Sequence, residues 1–251
     1  MNNWKAADNT LACVTWNVHR ARGADGRVDA PRVVSAIERI IAPLGPDVLA
    51  LQEADDECPP HARILDADRI SRAVGLSYMH DSRALRWGPQ SDGFLGTVLW
   101  VHPRFERTHA DVIDLPGHCH RGAISAECLD GDRAFRVMSV HLSLAQPLRM
   151  VQTRIIGQYL LRRPAMQTVI LGDLNEWRPW GGAALGRVML GRNFYGPVKP
   201  TFPARWPILP LDRILTDRRD AVQRVNVLDH PMTTAASDHR PLAAHVSLTT
   251  S

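Results

Sequence analysis

The stretch VILGDLNEW, residues 169–177, runs from β-forming side chains through a glycine into Asp173, Asn175 and Glu176. Val and Ile suit a pleated, half-buried surface, so the run predicts a strand over TVILG (168–172) that belongs to a core. A strand ending in polar residues has two meanings. Asp and Asn favour strand ends because their short side chains bond the local backbone. The same two residues also serve as a catalytic pair held at the mouth of a sheet.

Outward from this stretch, apolar runs of strand length recur. They are LACVTWNV (11–18), DVLALQ (47–52), FLGTVLWV (94–101), FRVMSVHL (135–142), LDRILT (211–216) and PLAAHVSL (241–248). Helical spacing fits 31–41, with Pro31 at a first-turn position, 62–74, and 148–161, where Met150, Ile155 and Tyr159 give an apolar stripe. Strands mixed with helices predict an α/β or α+β fold, and their alternation is too irregular for a barrel of eight βα units. No repeat, low-complexity tract or linker interrupts the chain, so one domain over 1–251 is expected.

Several strands share the polar ending. Asn17 and His19 follow the first, Gln52 and Glu53 close the second, and the fourth reaches His141. Asp173 and Asn175 end the fifth, Asp212 opens the sixth, and Ser237-Asp238-His239 stands before the last. If these ends share one edge, they form a cluster of carboxylate, amide and imidazole. Such hard donors suit magnesium or manganese rather than zinc, with Glu53 the best ligand candidate. Asp212 beside His239 would make an oriented general base. Asp173 and Asn175 on one turn would position a water and hold phosphate oxygens. The residues predict a metal-assisted phosphoester hydrolase with attack by water. Removing one carboxylate from such a cluster is expected to relieve repulsion.

Composition permits this chemistry without demanding it. Of 251 residues 45% are hydrophobic and 22% charged, with a net charge of +4. The basic side is almost all arginine, since Lys5 and Lys199 are the two lysines beside 28 arginines. Arginine matches phosphate geometry, but GC-rich coding, which favours Arg and Ala, accounts for the excess without it. Cys13, Cys58, Cys119 and Cys128 lack CxxC spacing, and His118-Cys119-His120 is too crowded for one tetrahedral zinc. The polar start MNNWKAADNT has no signal-peptide core, and no apolar run approaches the ~20 residues of a membrane span. Free thiols in a reducing cytoplasm are expected.

Taken in order, TWNVH, LALQE, SVHLS, ILGDLNEW, LDRIL and SDHRPL resemble the signature blocks of the endonuclease/exonuclease/phosphatase superfamily, the deoxyribonuclease I-like fold. The resemblance implies a four-layer sandwich of two packed β-sheets flanked by helices, and magnesium- or manganese-dependent hydrolysis at the shared strand ends. It implies Asn17, Glu53 and Asp238 on the metal side. It implies His141 on the phosphate or leaving group, and Asp173 with Asn175 as the water-orienting pair. Asp212 would pair with His239, and either His239 or Asp173 would be the base. Arg121-Gly122 resembles an Arg-Gly element of some bacterial members, with Arg121 reaching phosphate or serving only a surface turn.

Departures narrow the subfamily. AP endonucleases follow the glutamate with Thr-Lys and carry tyrosine at the place of His141, whereas this chain has Ala54-Asp55 and His141. The third strand offers Thr97 where an amide would stand. Trp177, Trp180 and Trp206 flank the blocks as core residues or as a rim for bases or lipid. RWPILPL (205–211) suits a stiff apolar rim better than a phosphate track. A compact phosphoester is therefore expected, a lipid headgroup or short nucleotide end, with peripheral membrane contact, a monomeric chain and no protein partner. Metal-dependent cleavage of DNA or RNA is the alternative. A binding module without catalysis on the same fold is a remoter one, because none of Glu53, Asp173, Asn175, Asp212 or His239 is lost.

Overall fold

The computed structural model describes Trp4, residues 9–117 and residues 121–249, so the His118-Cys119-His120 run lies outside the described residues. In chain order β1 is Thr10–Asn17, α1 Ala30–Ala36, β2 Val48–Gln52, α2 Ala67–Val74, β3 Ser77–Tyr78 and β4 Val98–Val101. There follow β5 Glu106–Leu115, β6 Arg121–Asp130, β7 Arg133–His141, α3 Gln146–Arg162, β8 Gln167–Asp173 and α4 Arg187–Leu190. The chain ends with β9 Asp212–Thr216, β10 Val222–Val227, α5 Pro231–Ala236 and β11 Leu242–Ser247. One sheet has the order β10-β11-β1-β2-β4-β3, the other β5-β6-β7-β8-β9. They stack face to face with helices outside, the expected sandwich.

Period-2 alternation assigns the faces. In β1, Leu11 and Cys13 enter the core between the sheets, while Val14 and Trp16 face α1 and α2. In β7 and β8, Phe135, Val137, Val169 and Leu171 face inward, and Met138, Val140 and Ile170 pack beneath α3. Each large apolar side chain so buried contributes about 1.5–3 kcal/mol relative to exposure. Asp29 caps α1 by accepting from Arg32 N at 3.0 Å, and Asp66 caps α2 by accepting from Arg69 N at 2.8 Å.

Continued along each strand, the inward rows turn polar at one edge. β1 ends in Thr15 and Asn17, β2 in Gln52, and β7 in Ser139 and His141. β8 ends in Asp173, and β9 begins there with Asp212. β1 runs parallel to β2 and β7 parallel to β8, while β9 is antiparallel, so these ends meet. His141 pairs with Asp173, and Asp173 with Asp212, in the strand registers. Beneath them Thr15 Oγ1 donates to Gln52 Oε1 at 3.2 Å, and Gln52 Nε2 donates to Ser139 Oγ at 3.3 Å, which ties the two sheets together.

Several expectations shift. Residues 94–97 form a tight turn closed between Phe94 and Thr97, and only 98–101 pair as a strand. The helix expected over 62–74 begins at Ala67, and the one over 31–41 passes into a wider π-turn at Ile37–Ile41. In α3 the buried face is Arg149, Gln152, Thr153, Ile156 and Leu160; Met150, Ile155 and Tyr159 are only half-buried.

Candidate active site

Gly172 explains the glycine of GDLN. Its φ is +142°, and a Cβ there would lie 1.9 Å from Val140 O, so no other residue fits between β7 and β8. The chain then turns through Leu142 N donating to Asp173 O at 2.9 Å and Asn175 Nδ2 donating to Leu142 O at 2.8 Å. Asn175 N donates to Asp173 Oδ1 at 3.0 Å, the local bond a short carboxylate can make. Asn175 has φ +50°, a conformation asparagine tolerates better than most residues.

Asp173 Oδ2 is the centre of the cluster. Asn17 Nδ2 donates to it at 3.0 Å, His141 Nε2 lies at 3.6 Å and His239 Nε2 at 3.8 Å. Burial first, then the Asp212 charge, pushes Asp173 up to about 6, against the pull of His239, Asn17 and Asn175 N. Asp212 Oδ2 bonds His239 Nδ1 at 2.8 Å and accepts from Thr201 Oγ1 at 2.5 Å. Burial alone would depress His239, but Asp212 and Asp173 outweigh it and raise the imidazole to about 10. His239 is thus held charged. Its backbone is fixed by Trp16 Nε1 donating to His239 O at 2.9 Å and by Ser237 Oγ, which accepts from His239 N at 3.1 Å and donates to Asn17 O at 2.7 Å.

His141 is the opposite case. Burial, then Arg121, His239 and Arg20, hold it well below the ordinary imidazole value, so it is neutral. Arg121 Nη1 stands 3.5 Å from His141 Nδ1 and can only donate, which leaves the ring proton on Nε2, facing the carboxylates. Arg121 is part of the cleft wall, not of a surface turn.

Glu53 has φ +55°, which swings a side chain from the outward-facing parity of β2 into the cleft. Asn17 Nδ2 lies 3.5 Å from Oε1, with Arg121 Nη1 and His141 Nε2 at 3.8 Å, while Arg20 pairs closely with Oε2. The expected repulsion among carboxylates is therefore absent at Glu53, which two guanidiniums already offset. Arg20 was not legible beforehand. It sits in a left-handed turn, His19, Arg20 and Ala21 having φ +48°, +49° and +56°, and 28 arginines in the chain conceal it. Each such residue costs about 1–2 kcal/mol. Bonds from His19 N to Asn17 Oδ1 at 2.9 Å and from Arg20 N to Glu53 O at 3.0 Å hold the turn on the site.

Asp238 stands at the mouth, 3.4 Å from His19 Nδ1, and its buried Oδ1 has no hydrogen bond. Asp238, Glu53 and Asn17 carry hard oxygen donors of the kind Mg2+ and Mn2+ take, with Asn17 here turning Nδ2 to Glu53 and Asp173 and accepting from His19 N through Oδ1. Asp173, Asp212 and His239 also bring ligand atoms within 4.8 Å of one another. There, however, His239 Nδ1 and Asp212 Oδ2 already bond each other, so the trio is better equipped to handle protons. Thr97, offered by the sequence in place of an amide, is buried and donates to Gly122 O at 3.1 Å, so its hydroxyl is structural.

The cleft over these groups measures about 320 Å³, and Phe202, Leu209, Leu211, Leu144 and Trp177 give it an apolar lining. Trp177, Trp180 and Trp206 are 52%, 76% and 80% exposed, which excludes a core role.

A deoxyribonuclease I-like sandwich with acid, amide and imidazole at its strand ends defines the class, and the comparisons agree. The Endonuclease/Exonuclease/phosphatase family matches residues 14–239, and the chain belongs to it. Members are typically metal-dependent phosphoester hydrolases, nucleases and phosphatases among them. The uncharacterized protein YbhP of Escherichia coli K12 is 32% identical over 249 residues, covering 94% of this chain and 95% of YbhP. D. rerio TDP2 complexed with a single strand DNA product superposes with a TM-score of 0.68 at 17% identity, over 95% of this chain and 99% of that one. The human Nocturnin catalytic domain with bound sulfate does so with 0.67 at 20% identity, over 98% and 97%. At these identities the two structures are alike in fold.

Proposed function

We propose that the chain, as a single catalytic domain, hydrolyses phosphodiester-type esters by attack of water on phosphorus with Mg2+ or Mn2+ in the cleft. The supporting observation is Asp173 Oδ2, met from separate segments by Asn17 at 3.0 Å, His141 at 3.6 Å and His239 at 3.8 Å. Glu53, Asn17 and Asp238 would hold the cation, which when bound polarises a phosphoryl oxygen and offsets its charge. Asp212 keeps His239 charged and in one orientation. Because His239 is already charged, Asp173 is the group left to take a proton from water, and the imidazolium offsets negative charge beside it. His141 Nε2–H, Arg121 and Arg20 face the phosphoryl and leaving oxygens as donors. Asn175 has a second amide hydrogen for the same purpose, the first being held by Leu142 O.

A compact substrate, a lipid headgroup or short nucleotide end, suits this cleft better than long duplex DNA. Leu144 and Ile208, 72% and 74% exposed, stand with Trp177 and Trp206 on its surrounding loops. Aliphatic side chains gain little from a base but gain from acyl chains, and tryptophan favours the membrane interface. Peripheral membrane contact belongs to the same reading, with the chain acting as a monomer. Among the described residues no helix is long and apolar enough to cross a membrane. The free thiols Cys13, Cys58 and Cys128 are consistent with a reducing cytoplasm. A nucleolytic reading has one observation in its favour: Arg178 lies 5.1 Å from the Trp177 ring, a stacking platform of the kind single strands use. The TDP2 neighbour carries such a strand.

Hydrolysis of a bis-aryl phosphate with and without Mg2+ or Mn2+ tests the reaction. Turnover should require the metal, and Glu53→Ala should leave less than about a tenth of it at saturating metal. Because Arg20 and Arg121 lose their counter-charge, this variant should gain no stability. Metal-independent turnover, or an active Glu53→Ala protein, would remove the ligand role.

A further inference from the structure

Glu176 closes the VILGDLNEW stretch, and none of the roles above uses it. It is fully buried. Arg149 Nη2 lies 3.3 Å from its Oε2 and Arg178 Nε 3.0 Å from its Oε1, which also accepts from Arg178 N at 3.1 Å. These partners reach further. Arg149, on α3 and equally buried, donates through Nη1 to Ser143 O at 2.9 Å and Leu144 O at 2.7 Å. Those carbonyls belong to the loop that leaves His141. Arg213, the residue after Asp212, donates through Nη2 to Glu176 O at 2.9 Å and Arg178 O at 3.0 Å. Strand alternation places Arg213 on the opposite face of β9 from Asp212.

Behind the site the Glu176 carboxylate therefore joins the His141 loop to the Asp173–Asn175 turn, while Arg213 ties the Asp212 strand to the backbone of the same turn. A buried ion cluster is weak evidence for stability, because desolvation offsets much of its attraction and apolar replacements often do as well. Its use is directional, since a guanidinium fork fixes angle as well as distance. We propose that Glu176 is a positioning residue for the hydrolytic reaction, its carboxylate holding the Asp173–Asn175 turn in register with the His141 loop through Arg149 and Arg178. This rests on the hydrolase reading above. Misplacing a reacting group by about 1 Å can cost about 10²-fold in rate, so the effect belongs on kcat.

The test uses the full chain, a bis-aryl phosphate at saturating Mn2+, and thermal melting in parallel. Glu176→Gln keeps the size and removes the charge. It should lower kcat roughly 30- to 100-fold with KM within about threefold. Arg149→Lys, which keeps the charge and loses the fork, should give the same signature, and the double variant should be little worse than either single one. If Glu176→Gln melts below the assay temperature, Glu176→Met combined with Arg149→Met removes both charges and is judged by the same numbers. A folded variant with kcat within about threefold of wild type overturns the proposal. So does a lower melting temperature with unchanged kcat, the result of a purely structural role. Wild-type protein without metal-dependent turnover would instead overturn the hydrolase reading and this proposal with it.

Discussion

Asp212 shows how much one carboxylate oxygen can decide. Its Oδ2 serves both His239 Nδ1 and Thr201 Oγ1, and a Phe202 ring packs 4.9 Å from the imidazole centroid. The ring cannot tilt while that oxygen accepts from its Nδ1–H. Asp212→Asn removes the counter-charge of the imidazolium and can present an N–H to Nδ1 of the neutral ring, fixing the wrong tautomer, and kcat should fall about 10²- to 10⁴-fold with the fold retained. Because the two residues act as a unit, the double variant with His239→Ala should be little worse than either single one. Steady-state kinetics on the four proteins decides it, and fully additive losses would show that the residues act separately.

Among elements, β6, β7 and α3 are joined at the end of the sheet away from the cleft by Glu127. Its Oε1 accepts from Arg136 Nη2 at 2.7 Å, and Oε2 from Arg163 Nη2 at 2.8 Å. Arg163, and after it Arg136, hold the Glu127 carboxyl down to about 2 against burial. A folded pKa below the ordinary 4.5 gives stability that is complete above that pH and lost as pH falls toward about 2. Glu127→Gln should be less stable at neutral pH by about 3 kcal/mol, since the buried Arg136 is left without a counter-charge. Its melting temperature should change less than that of wild type between pH 4.5 and pH 2. Parallel curves would show that Glu127 is not the titrating group. Glu127 was not singled out in the sequence because its strand was not. β5 and β10 are edge strands with little or no buried face, and β6 mixes Ser125 and Glu127 into its buried row, so none offers an apolar run. The strands bearing the site were legible because their inward rows are apolar except for the one or two polar residues at the cleft end. The stripe expected on α3 was misplaced because that helix buries Arg149, Gln152 and Thr153 to hold loops. Arg20 stayed hidden because a left-handed turn of ordinary residues leaves no signal in composition or period.

For the whole molecule, the sandwich concentrates chemistry at one edge and leaves the surrounding loops to choose the substrate. A long nucleic-acid track would need basic residues over several phosphates and would show a steep salt dependence. The net charge is only +4, and the loops beside the cleft offer Leu144, Trp177, Trp206 and Ile208 to solvent. Turnover on phospholipid vesicles and on plasmid DNA, each at low and moderate salt, compares the two substrate classes. Vesicle hydrolysis with a shallow salt response is expected. Trp206→Ala separates the rim from the chemistry, because Trp206 is exposed and lies outside the Asp173 cluster. It should lower vesicle turnover by about tenfold, the weight of one interfacial aromatic anchor, and leave the bis-aryl phosphate rate within about twofold. Efficient plasmid nicking with a steep fall in salt, and no vesicle hydrolysis, would reverse the order and make the same tryptophans a platform for bases.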